Sequence, residues 1–405
     1  MTRPAHALTD VPPMDASSDR TAAPSPWVCG PNGEGKRSSA DGELIVDLSA
    51  LTANYASIAR WVAPARAGAV IKADAYGLGV GPVTRALGVA GCRDFFVVQL
   101  GEAARARPHL PDGARLFVLN GVPDGFEAEC LALSVLPVLS TTEQVARWAR
   151  AGEMRGRPLD AALQIDSGMS RLGLSSAEAA AVARDNHRRR WLRPVLILSH
   201  LACADEHDHP ANEAQRSAFA ATAALFPGVD RSLANSGGVF LSRSFHGALA
   251  RPGIALYGGR ASDAPEAAPR PVVTLRARIL QIRDVMPGAA VGYGHTHVAT
   301  SQARWATIGV GYADGWPRNL GNRGAAWHQG TRLPIIGRVS MDSMTVDLAD
   351  LPADALREGD WVELIGRDQT VDAVGAQAGT IAYEILTGLG RRLCRIYIPA
   401  EGGVA

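Results

Sequence analysis

The sequence predicts an α/β fold in which an N-terminal (β/α)8 TIM-type barrel is followed by a mainly β C-terminal domain. Three observations support this prediction. From about residue 43, short apolar segments alternate with amphipathic segments; the apolar segments number eight; and β-rich segments with Gly and Pro turns begin near residue 272. Apolar strands alternating with helices indicate a parallel sheet buried on both faces. Eight repeats favour a closed barrel over an open sheet.

The eight strand candidates follow one another within residues 43–271, the predicted barrel domain. They are "AGAVIKA" (67–73), "DFFVVQL" (94–100), "ARLFVLN" (114–120), "LPVLS" (136–140), "DAALQID" (160–166), "RPVLILSH" (193–200), "DRSLANS" (230–236) and "IALYG" (254–258). Amphipathic segments lie between them. One of these, "STTEQVARWARAG", offers Ser or Thr as a helix cap and places Glu143 in the first turn.

Residues 272–399 are predicted to form the mainly β domain. Segments such as "VVTLRARILQIRDV" (272–285) and "DWVELIG" (360–366) are rich in β-formers and have little helical periodicity. Residues 1–42 are rich in Pro, Ala, Ser, Asp and Gly, so we expect a disordered or loosely attached N-terminal extension. Residues 400–405 are expected to be a short tail.

Composition excludes several classes of function. The chain is 47% hydrophobic and 20% charged, with a formal net charge of +1. No apolar run reaches the roughly 18 residues of a membrane span, and no large positive field would attract nucleic acid. The N-terminal segment lacks the apolar core of a secretory signal, which favours a cytoplasmic location. The five cysteines have no paired metal-ligand spacing, so no metal is expected.

Lys72 is the first candidate functional residue. It ends the first core strand, after the fully apolar "GAVI", and the carboxyl ends of barrel strands carry the active site in this fold. Most lysines at strand ends extend into water. A lysine that faces a barrel mouth instead loses hydration, which lowers its pKa and makes the amine a nucleophile towards carbonyls.

A candidate phosphate site lies at the other end of the barrel sequence. "NSGG" (235–238) follows the seventh strand candidate, and "RPGIALYG" (251–258) surrounds the eighth. Loops after strands seven and eight bind phosphate in this fold, and Ser236, Gly253 and Ile254 offer a hydroxyl and backbone N–H groups. Each motif alone is also a common turn. A lysine nucleophile opposite a phosphate site suggests pyridoxal 5′-phosphate (PLP), which carries both an aldehyde and a phosphate.

Nine motifs, in order and at matching spacing, resemble the alanine racemases, the fold type III PLP enzymes. They are "VIKADAYGLG", "QIDSGMSRLG", "SHLACAD", "NSGG", "ARPGIALYG", "GYGHT", "GVGYADGWPR", "GRVSMD" and "IAYE", and the resemblance as a whole covers about Glu43 to Pro399. The resemblance implies a PLP-dependent isomerase that interconverts L- and D-alanine, either supplying D-alanine for peptidoglycan or serving alanine catabolism.

The resemblance also implies roles for two catalytic residues. Lys72 would hold PLP and then act as one of two bases, and Tyr293 in "VGYGHT" would be the other. A planar carbanion at Cα needs a base on each face if the proton is to leave from one side and return on the other. In the family this tyrosine reaches the active site of the other subunit, together with the segment that contains Met341 and Asp342. A homodimer with shared active sites is therefore expected.

Further site residues follow from the resemblance. Arg251 would face the ring nitrogen of PLP, and a guanidinium there would keep that nitrogen unprotonated. His200 would lie near the ring and link to Arg251. Tyr76 and Tyr383 resemble the tyrosines that bind the phosphate. Arg171 matches the arginine that holds the phenolic oxygen of the cofactor and the region of the substrate carboxylate.

Two positions depart from the family pattern. Gln164 stands where many members have a lysine that becomes carbamylated and orients the arginine, so Gln164 would accept a hydrogen bond from Arg171, or a bound anion would take its place. Ser340 stands where cysteine is frequent. These departures leave open a broader-specificity amino-acid racemase of the same family.

Three other functions would use some of the same features. A decarboxylase of the same fold type would carry Cys-Glu-Ser-Gly-Asp and His-Gly-Ser motifs, which are absent from the sequence. A non-catalytic PLP-binding protein would lack residues 272–399. A Schiff-base aldolase would use the lysine without PLP and would show no PLP absorbance.

Overall fold

A computed structural model describes residues 39–400, and its first domain is a closed parallel barrel. The barrel strands are Arg66–Ala67 with Ala69–Val70, Asp94–Val97, Arg115–Val118, Leu136–Leu139, Leu159–Gln164, Leu192–Leu198, Asp230–Ser232 and Leu249–Ala250. Adjacent strands are parallel from Ala69–Val70 to Asp230–Ser232, and Leu249–Ala250 pairs in parallel with Arg66–Ala67. The predicted fold class is confirmed.

Backbone hydrogen bonds at the eighth strand close the ring. The N–H of Ala248 donates to the carbonyl of Arg231 at 2.8 Å, and the N–H of Gly68 donates to the carbonyl of Ala250 at 2.9 Å. The eighth strand therefore joins the seventh to the first. This strand is two residues long, because Pro252 follows it and has no N–H to donate to a ladder.

The predicted eighth strand at residues 254–258 is wrong. Ile254–Leu256 forms a 3₁₀ helix, and Gly253 before it has φ −126° and ψ −91°, outside the strand region. The apolar residues of "IALYG" are buried because this turn packs inside the protein, not because they form a strand. The apolar run could not distinguish a buried strand from a buried turn.

Helices connect the barrel strands on the outside. The α-helices of the first domain are Leu48–Val62, Val80–Val89, Leu100–Ala106, Glu127–Ala132, Thr142–Met154, Ser176–Arg184, Asn186–Trp191 and Pro210–Ala223, whereas the segment Lys72–Tyr76 is a left-handed turn. Thr141 caps one of them as the sequence suggested, since its hydroxyl accepts from the N–H of Gln144 at 3.2 Å.

The second domain is built on an eight-stranded sheet. Its strands, in spatial order, are Ala303–Ile308, Met344–Asp347, Thr331–Ile336, Ala325–His328, Trp361–Ile365, Val273–Val285, Gly42–Asp47 and Cys394–Ile398. Val273–Val285 also pairs with Ala303–Ile308, so six of these strands close a ring. Two helices, Val371–Ala378 and Ala382–Gly388, complete the domain. A hairpin of Ala290–Val291 and His297–Val298 carries the 3₁₀ helix Tyr293–His295.

The first described strand, Gly42–Asp47, pairs with the last one. It pairs antiparallel with Val273–Val285 and in parallel with Cys394–Ile398, so it lies in the second sheet although it precedes the barrel. Most of the expected N-terminal extension and residues 401–405 of the tail lie outside the described residues. Within residues 39–400, no helix has the length and apolar character to cross a bilayer.

Candidate active site

A cavity of about 350 Å³ opens at the carboxyl ends of the barrel strands. It brings together nine residues singled out in the sequence: Lys72, Tyr76, Gln164, Arg171, His200, Ser236, Arg251, Gly253 and Tyr383. The strands that precede these residues are far apart in the chain, but their ends converge in a parallel barrel. The cavity lining contains a lysine and two arginines and no carboxylate, so it favours an anionic ligand.

Lys72 lies just beyond the first strand, with its side chain largely shielded from water. The pKa of its amine is lowered, first by burial and then by the positive charge of Arg171, while Glu102 acts in the opposite direction. A larger neutral fraction makes the amine a better nucleophile at neutral pH.

The choice of lysine at position 72 is unusual in this chain. The 41 basic residues include two lysines, Lys36 and Lys72, and the others are arginines. Lys72 is therefore the single lysine among residues 39–400. An arginine stays protonated in proteins and cannot serve as a neutral amine, so this position uses the one cationic residue type that can.

The residues after Lys72 form one turn of left-handed helix. Ala73, Asp74, Ala75 and Tyr76 have φ values of 52°, 55°, 53° and 57°. Each such residue costs roughly 1–2 kcal/mol relative to the right-handed conformation. Tertiary contacts must offset this cost. They come from Glu102, which accepts from the N–H of Ala73 at 2.7 Å, and from Arg395, which donates to the carbonyl of Gly77 at 2.9 Å.

The turn presents Tyr76 to the cavity within an aromatic cluster. Tyr76 stacks on Tyr257 with ring centroids 4.5 Å apart, and Tyr383 is tilted against it at 6.0 Å. Burial raises the pKa of Tyr76 and raises the pKa of Tyr383 to about 12. Both phenols are therefore protonated at neutral pH and can donate hydrogen bonds to an anion.

Ser236, Gly253 and Ile254 meet beside Tyr76. The hydroxyl oxygen of Ser236 accepts from the N–H of Gly253 at 2.7 Å and is 3.5 Å from the N–H of Ala255. Its own O–H hydrogen remains available for a ligand. Ile254 is fully buried and begins the 3₁₀ helix, so its contribution is limited to backbone groups.

Arg251 is buried below the cavity without a carboxylate partner among the described residues. Its guanidinium donates to the carbonyl of Ser232 at 2.9 Å and to the carbonyl of Ser199 at 2.5 Å. Burial lowers its pKa to about 10, which still leaves it protonated at neutral pH. These bonds to strand ends fix the guanidinium in the barrel floor.

His200 lies at the end of the sixth strand and is held as a neutral imidazole. Burial lowers its pKa to about 3, with further lowering by the positive charges of Arg251, Arg171 and Lys72. Its Nε2 is 3.5 Å from the side-chain amide of Asn235. In the described part of the chain, His200 and Arg251 do not hydrogen-bond each other directly, because the guanidinium donates to backbone carbonyls. The structure therefore does not contain the predicted link as a direct bond.

Gln164 does not hydrogen-bond Arg171. Its amide nitrogen instead donates to the carbonyl of Leu172 at 3.0 Å, which fixes the backbone of the loop that carries Arg171. Asp166 stabilises the same loop by accepting from the N–H groups of Gly168 and Met169. No side chain in the described part of the chain bonds to the guanidinium of Arg171, which remains available in the cavity.

Tyr293, Met341 and Asp342 lie outside this cavity. Tyr293 is 70% exposed at the tip of its hairpin, and Met341 is about half exposed. Asp342 accepts from Arg392 at 2.6 Å at the surface of the second domain. A single chain therefore does not bring Tyr293 to Lys72, and their meeting across a dimer stays a prediction.

Sequence reasoning missed Glu102, Tyr257 and Arg395. Tyr257 was within a quoted motif but had no assigned role. Glu102 has a local signal, since Gln99 and Glu102 form a capping box that begins a helix. Arg395 had no signal, because it contacts Gly77 across 318 residues of chain.

Together, the barrel, its shielded lysine and the appended β domain define a two-domain barrel enzyme whose active site opens at the barrel mouth. Comparison of the sequence with known protein families narrows this class to one family. The alanine racemase N-terminal domain profile matches residues 46–261, and the alanine racemase C-terminal domain profile matches residues 272–397. The chain belongs to the alanine racemase family.

Individual relatives agree with this assignment. The chain is 48% identical over 359 residues to a catabolic alanine racemase of Agrobacterium fabrum, covering 89% of this chain and 92% of that one. An alanine racemase of Brucella canis is 48% identical over 378 residues, or 90% and 96% of the two chains. Among solved structures, alanine racemase from Bartonella henselae with covalently bound pyridoxal phosphate is 40% identical, with a TM-score of 0.85 over 89% of this chain and 100% of that one.

Proposed function

We propose that the protein is a PLP-dependent racemase that interconverts L- and D-alanine by a two-base mechanism. The observation that carries this proposal is the position of Lys72. It is the one lysine of residues 39–400, and it is shielded in a cavity whose other charged residues are Arg171 and Arg251. Membership of the alanine racemase family supplies the reaction.

The residues of the cavity fit PLP. The protonated phenols of Tyr76 and Tyr383, the hydroxyl of Ser236 and the backbone at Gly253 and Ile254 would hold the phosphate. Arg251 would lie at the ring nitrogen and His200 beside the ring. When bound, PLP withdraws electrons from the Cα of an attached amino acid and so acidifies the Cα–H bond.

Lys72 has two tasks in this proposal. Its neutral Nζ, which the lowered pKa favours, would hold the cofactor through its aldehyde group. Once released by substrate, the same Nζ would accept a proton from the substrate Cα, or return one to it, on one face. Arg171 would orient the region of the substrate carboxylate, since its guanidinium is free in the cavity.

Arg251 limits side reactions. Its guanidinium is held by carbonyls and can only donate, so it would keep the ring nitrogen of a bound cofactor unprotonated. The cofactor would then withdraw electrons less strongly, which would favour racemisation over transamination.

Tyr293 is proposed as the base on the opposite face of Cα. Its exposure in the single chain is consistent with insertion into the active site of a second copy, together with Met341 and Asp342. Each site of the homodimer would then contain residues of both chains.

The proposed location is the cytoplasm, and the product D-alanine would supply peptidoglycan or the reverse reaction would serve alanine catabolism. A broader-specificity racemase remains the second candidate. Gln164 favours it, because a neutral amide that bonds Leu172 replaces the charged group expected next to Arg171.

The first test identifies the cofactor and its anchor without measuring activity. Protein loaded with PLP is reduced with borohydride, and the modified peptide is identified by mass spectrometry. Wild type and Lys36→Ala should be labelled at Lys72, and Lys72→Ala should carry no label. Because the chain has two lysines, labelling at Lys36 alone, or at neither, would refute the assignment.

The second test defines the reaction and its substrate. The enzyme is incubated in D₂O with L-alanine, L-serine, L-lysine and L-arginine, and chirality and α-deuterium are followed together. Loss of optical activity with deuterium incorporation for alanine alone supports alanine racemase. Comparable rates for the basic amino acids would support the broader-specificity racemase instead.

A further inference from the structure

The left-handed turn that follows Lys72 is held by one side chain of each domain, Glu102 and Arg395. No glycine occurs among its four left-handed residues, 73–76, so the sequence itself does not favour this conformation. The turn separates Lys72 from Tyr76, and both side chains line the cavity. Any relaxation of the turn towards a right-handed conformation would move one of these side chains relative to the other.

Glu102 holds the turn from the first domain, where it lies in the first turn of helix Leu100–Ala106. One carboxylate oxygen accepts from the N–H of Ala73 at 2.7 Å, and the other accepts from the N–H of Val98 at 2.7 Å and of Gln99 at 3.2 Å. Both oxygens therefore face backbone donors. Glu102 connects the exit of the first barrel strand to the exit of the second.

Arg395 holds the turn from the second domain. It lies in the strand Cys394–Ile398, and its Nε and Nη2 both donate to the carbonyl of Gly77, at 3.2 and 2.9 Å. The same guanidinium donates to Gly390 at 3.1 Å. Tyr397, on the same strand, donates to the carbonyl of Leu78 at 3.0 Å.

We infer that Glu102 and Arg395 are positioning residues that lock the turn and thereby keep Lys72 and Tyr76 at the separation that the cofactor requires. This inference rests on the proposed function. It gives the second domain a further role in the cofactor site of its own chain, beside the phenol of Tyr383, in addition to the residues proposed to reach the partner's site. Neither side chain lines the cavity, so both act through the turn.

The main test compares two arginines of the second domain. Arg395→Met removes the bonds to Gly77, whereas Arg304→Met removes similar bonds to backbone carbonyls, to Leu356 at 2.9 Å and Pro352 at 3.4 Å, away from the turn. PLP affinity is measured by absorbance titration, and hydrogen exchange is followed in the peptide that contains residues 73–79.

Arg395→Met should weaken PLP binding by roughly tenfold or more and speed exchange in residues 73–79, since small displacements of reacting groups have large effects. At saturating PLP, kcat should fall more than KM for alanine changes, because Arg171 is untouched. Arg395→Lys, which can reach one carbonyl, should recover part of the loss. Arg304→Met should leave PLP affinity and exchange in this peptide unchanged.

A second pair of variants covers the case in which Arg395→Met does not fold. Glu102→Gln places an amide N–H₂ against backbone donors, and Glu178→Gln makes the same change in a capping box remote from the turn. Glu102→Gln should weaken PLP binding and Glu178→Gln should not. Wild-type PLP affinity in the folded Arg395 and Glu102 variants would overturn this inference and would leave the proposed function standing. Failure of the wild type to bind PLP would overturn the proposed function and this inference together.

Discussion

The phenol of Tyr76 occupies the space that a Cβ atom on Gly253 would require. The hydroxyl of Tyr76 is in contact with the Cα region of Gly253, and the stacked ring of Tyr257, 4.5 Å away, supports the phenol from another side. The backbone after the eighth strand and the turn after the first are thus fitted to each other. Gly253 is required here for close approach, since its φ of −126° is open to any residue.

We therefore predict that Gly253→Ala weakens PLP binding by about tenfold, because the added methyl displaces the phenol that would bind the phosphate. Absorbance titration with PLP measures the effect. Gly101→Ala is the matched control, since a Cβ at Gly101 meets no atom within 4 Å and its φ is not left-handed. Unchanged affinity in Gly253→Ala would mean that Tyr76 does not contact the phosphate.

The barrel could be predicted from sequence because each strand carries its own signal. Apolar runs bounded by helix caps and turns located seven of the eight strands. Active sites of such barrels lie at the carboxyl ends of the strands, and this placed Lys72 in the mouth of the barrel. The prediction of the eighth strand failed because this strand is only two residues long and is soon followed by Pro252 and Gly253. The left-handed turn was not predictable locally, because Ala, Asp and Tyr have no preference for φ above 0° and tertiary contacts impose it.

Long-range pairings were also beyond the sequence pattern. The strand Gly42–Asp47 has ordinary β character, and nothing in it shows that Glu43 lies opposite Cys394. The same holds for the partners of polar side chains. The sequence predicts that Gln164 accepts from Arg171 or is replaced by a bound anion, whereas its amide nitrogen donates to the carbonyl of Leu172, a partner that only the folded loop reveals.

Two inactive variants should restore activity when mixed, if the active sites are shared. Lys72→Ala and Tyr293→Phe are each expected to lose racemisation in both directions. A heterodimer of the two has one site with both defects and one intact site. Random reassociation of equal amounts should therefore recover roughly one quarter of wild-type activity. Racemisation is measured before and after co-refolding of the variants.

The controls separate loss of a base from loss of structure. Tyr293→Phe should bind PLP as the wild type does, because the residues proposed to hold the cofactor all belong to the chain that carries Lys72 and are unchanged. Tyr55→Phe removes a phenol that donates to Ala67 at the beginning of the first barrel strand, and it should stay active. If the mixed variants remain inactive, Tyr293 does not complete the site of a partner chain.

The stability of the cofactor-free protein should depend on His200 between about pH 6.5 and pH 3. The pKa of His200 is lowered to about 3 in the folded chain, whereas an unfolded histidine titrates near 6.5. Between these values the unfolded state binds more protons, so the contribution of neutral His200 is complete above pH 6.5 and is lost as the pH falls.

His200→Gln should therefore be less destabilising at pH 5 than at pH 7, by no more than about 2 kcal/mol. Urea unfolding at the two pH values measures this difference. His207→Gln, at an exposed loop histidine, controls for loss of an imidazole elsewhere. A larger penalty at pH 5 than at pH 7 would show that His200 is protonated in the folded state.

Loss of a salt bridge at the amino end of the barrel should lower stability without affecting catalysis. Asp94 begins the second strand with a side chain only 3% exposed, and it pairs with Arg66 at 3.3 Å and Arg115 at 2.5 Å. Asp94→Asn leaves both arginines without this carboxylate, but each is at least 31% exposed and can be hydrated, so we expect a loss of about 2 kcal/mol in unfolding free energy.

PLP affinity and kcat should stay at wild-type values in Asp94→Asn, because the cavity lies at the opposite end of the strands. Asp208→Asn, at a fully exposed carboxylate, should change stability by less than about 0.5 kcal/mol. Urea unfolding and PLP titration of both variants test the separation. A loss of PLP affinity in Asp94→Asn would show that the salt bridges at the amino end also hold the carboxyl end of this strand in place, because the two ends are joined by a strand of only four residues.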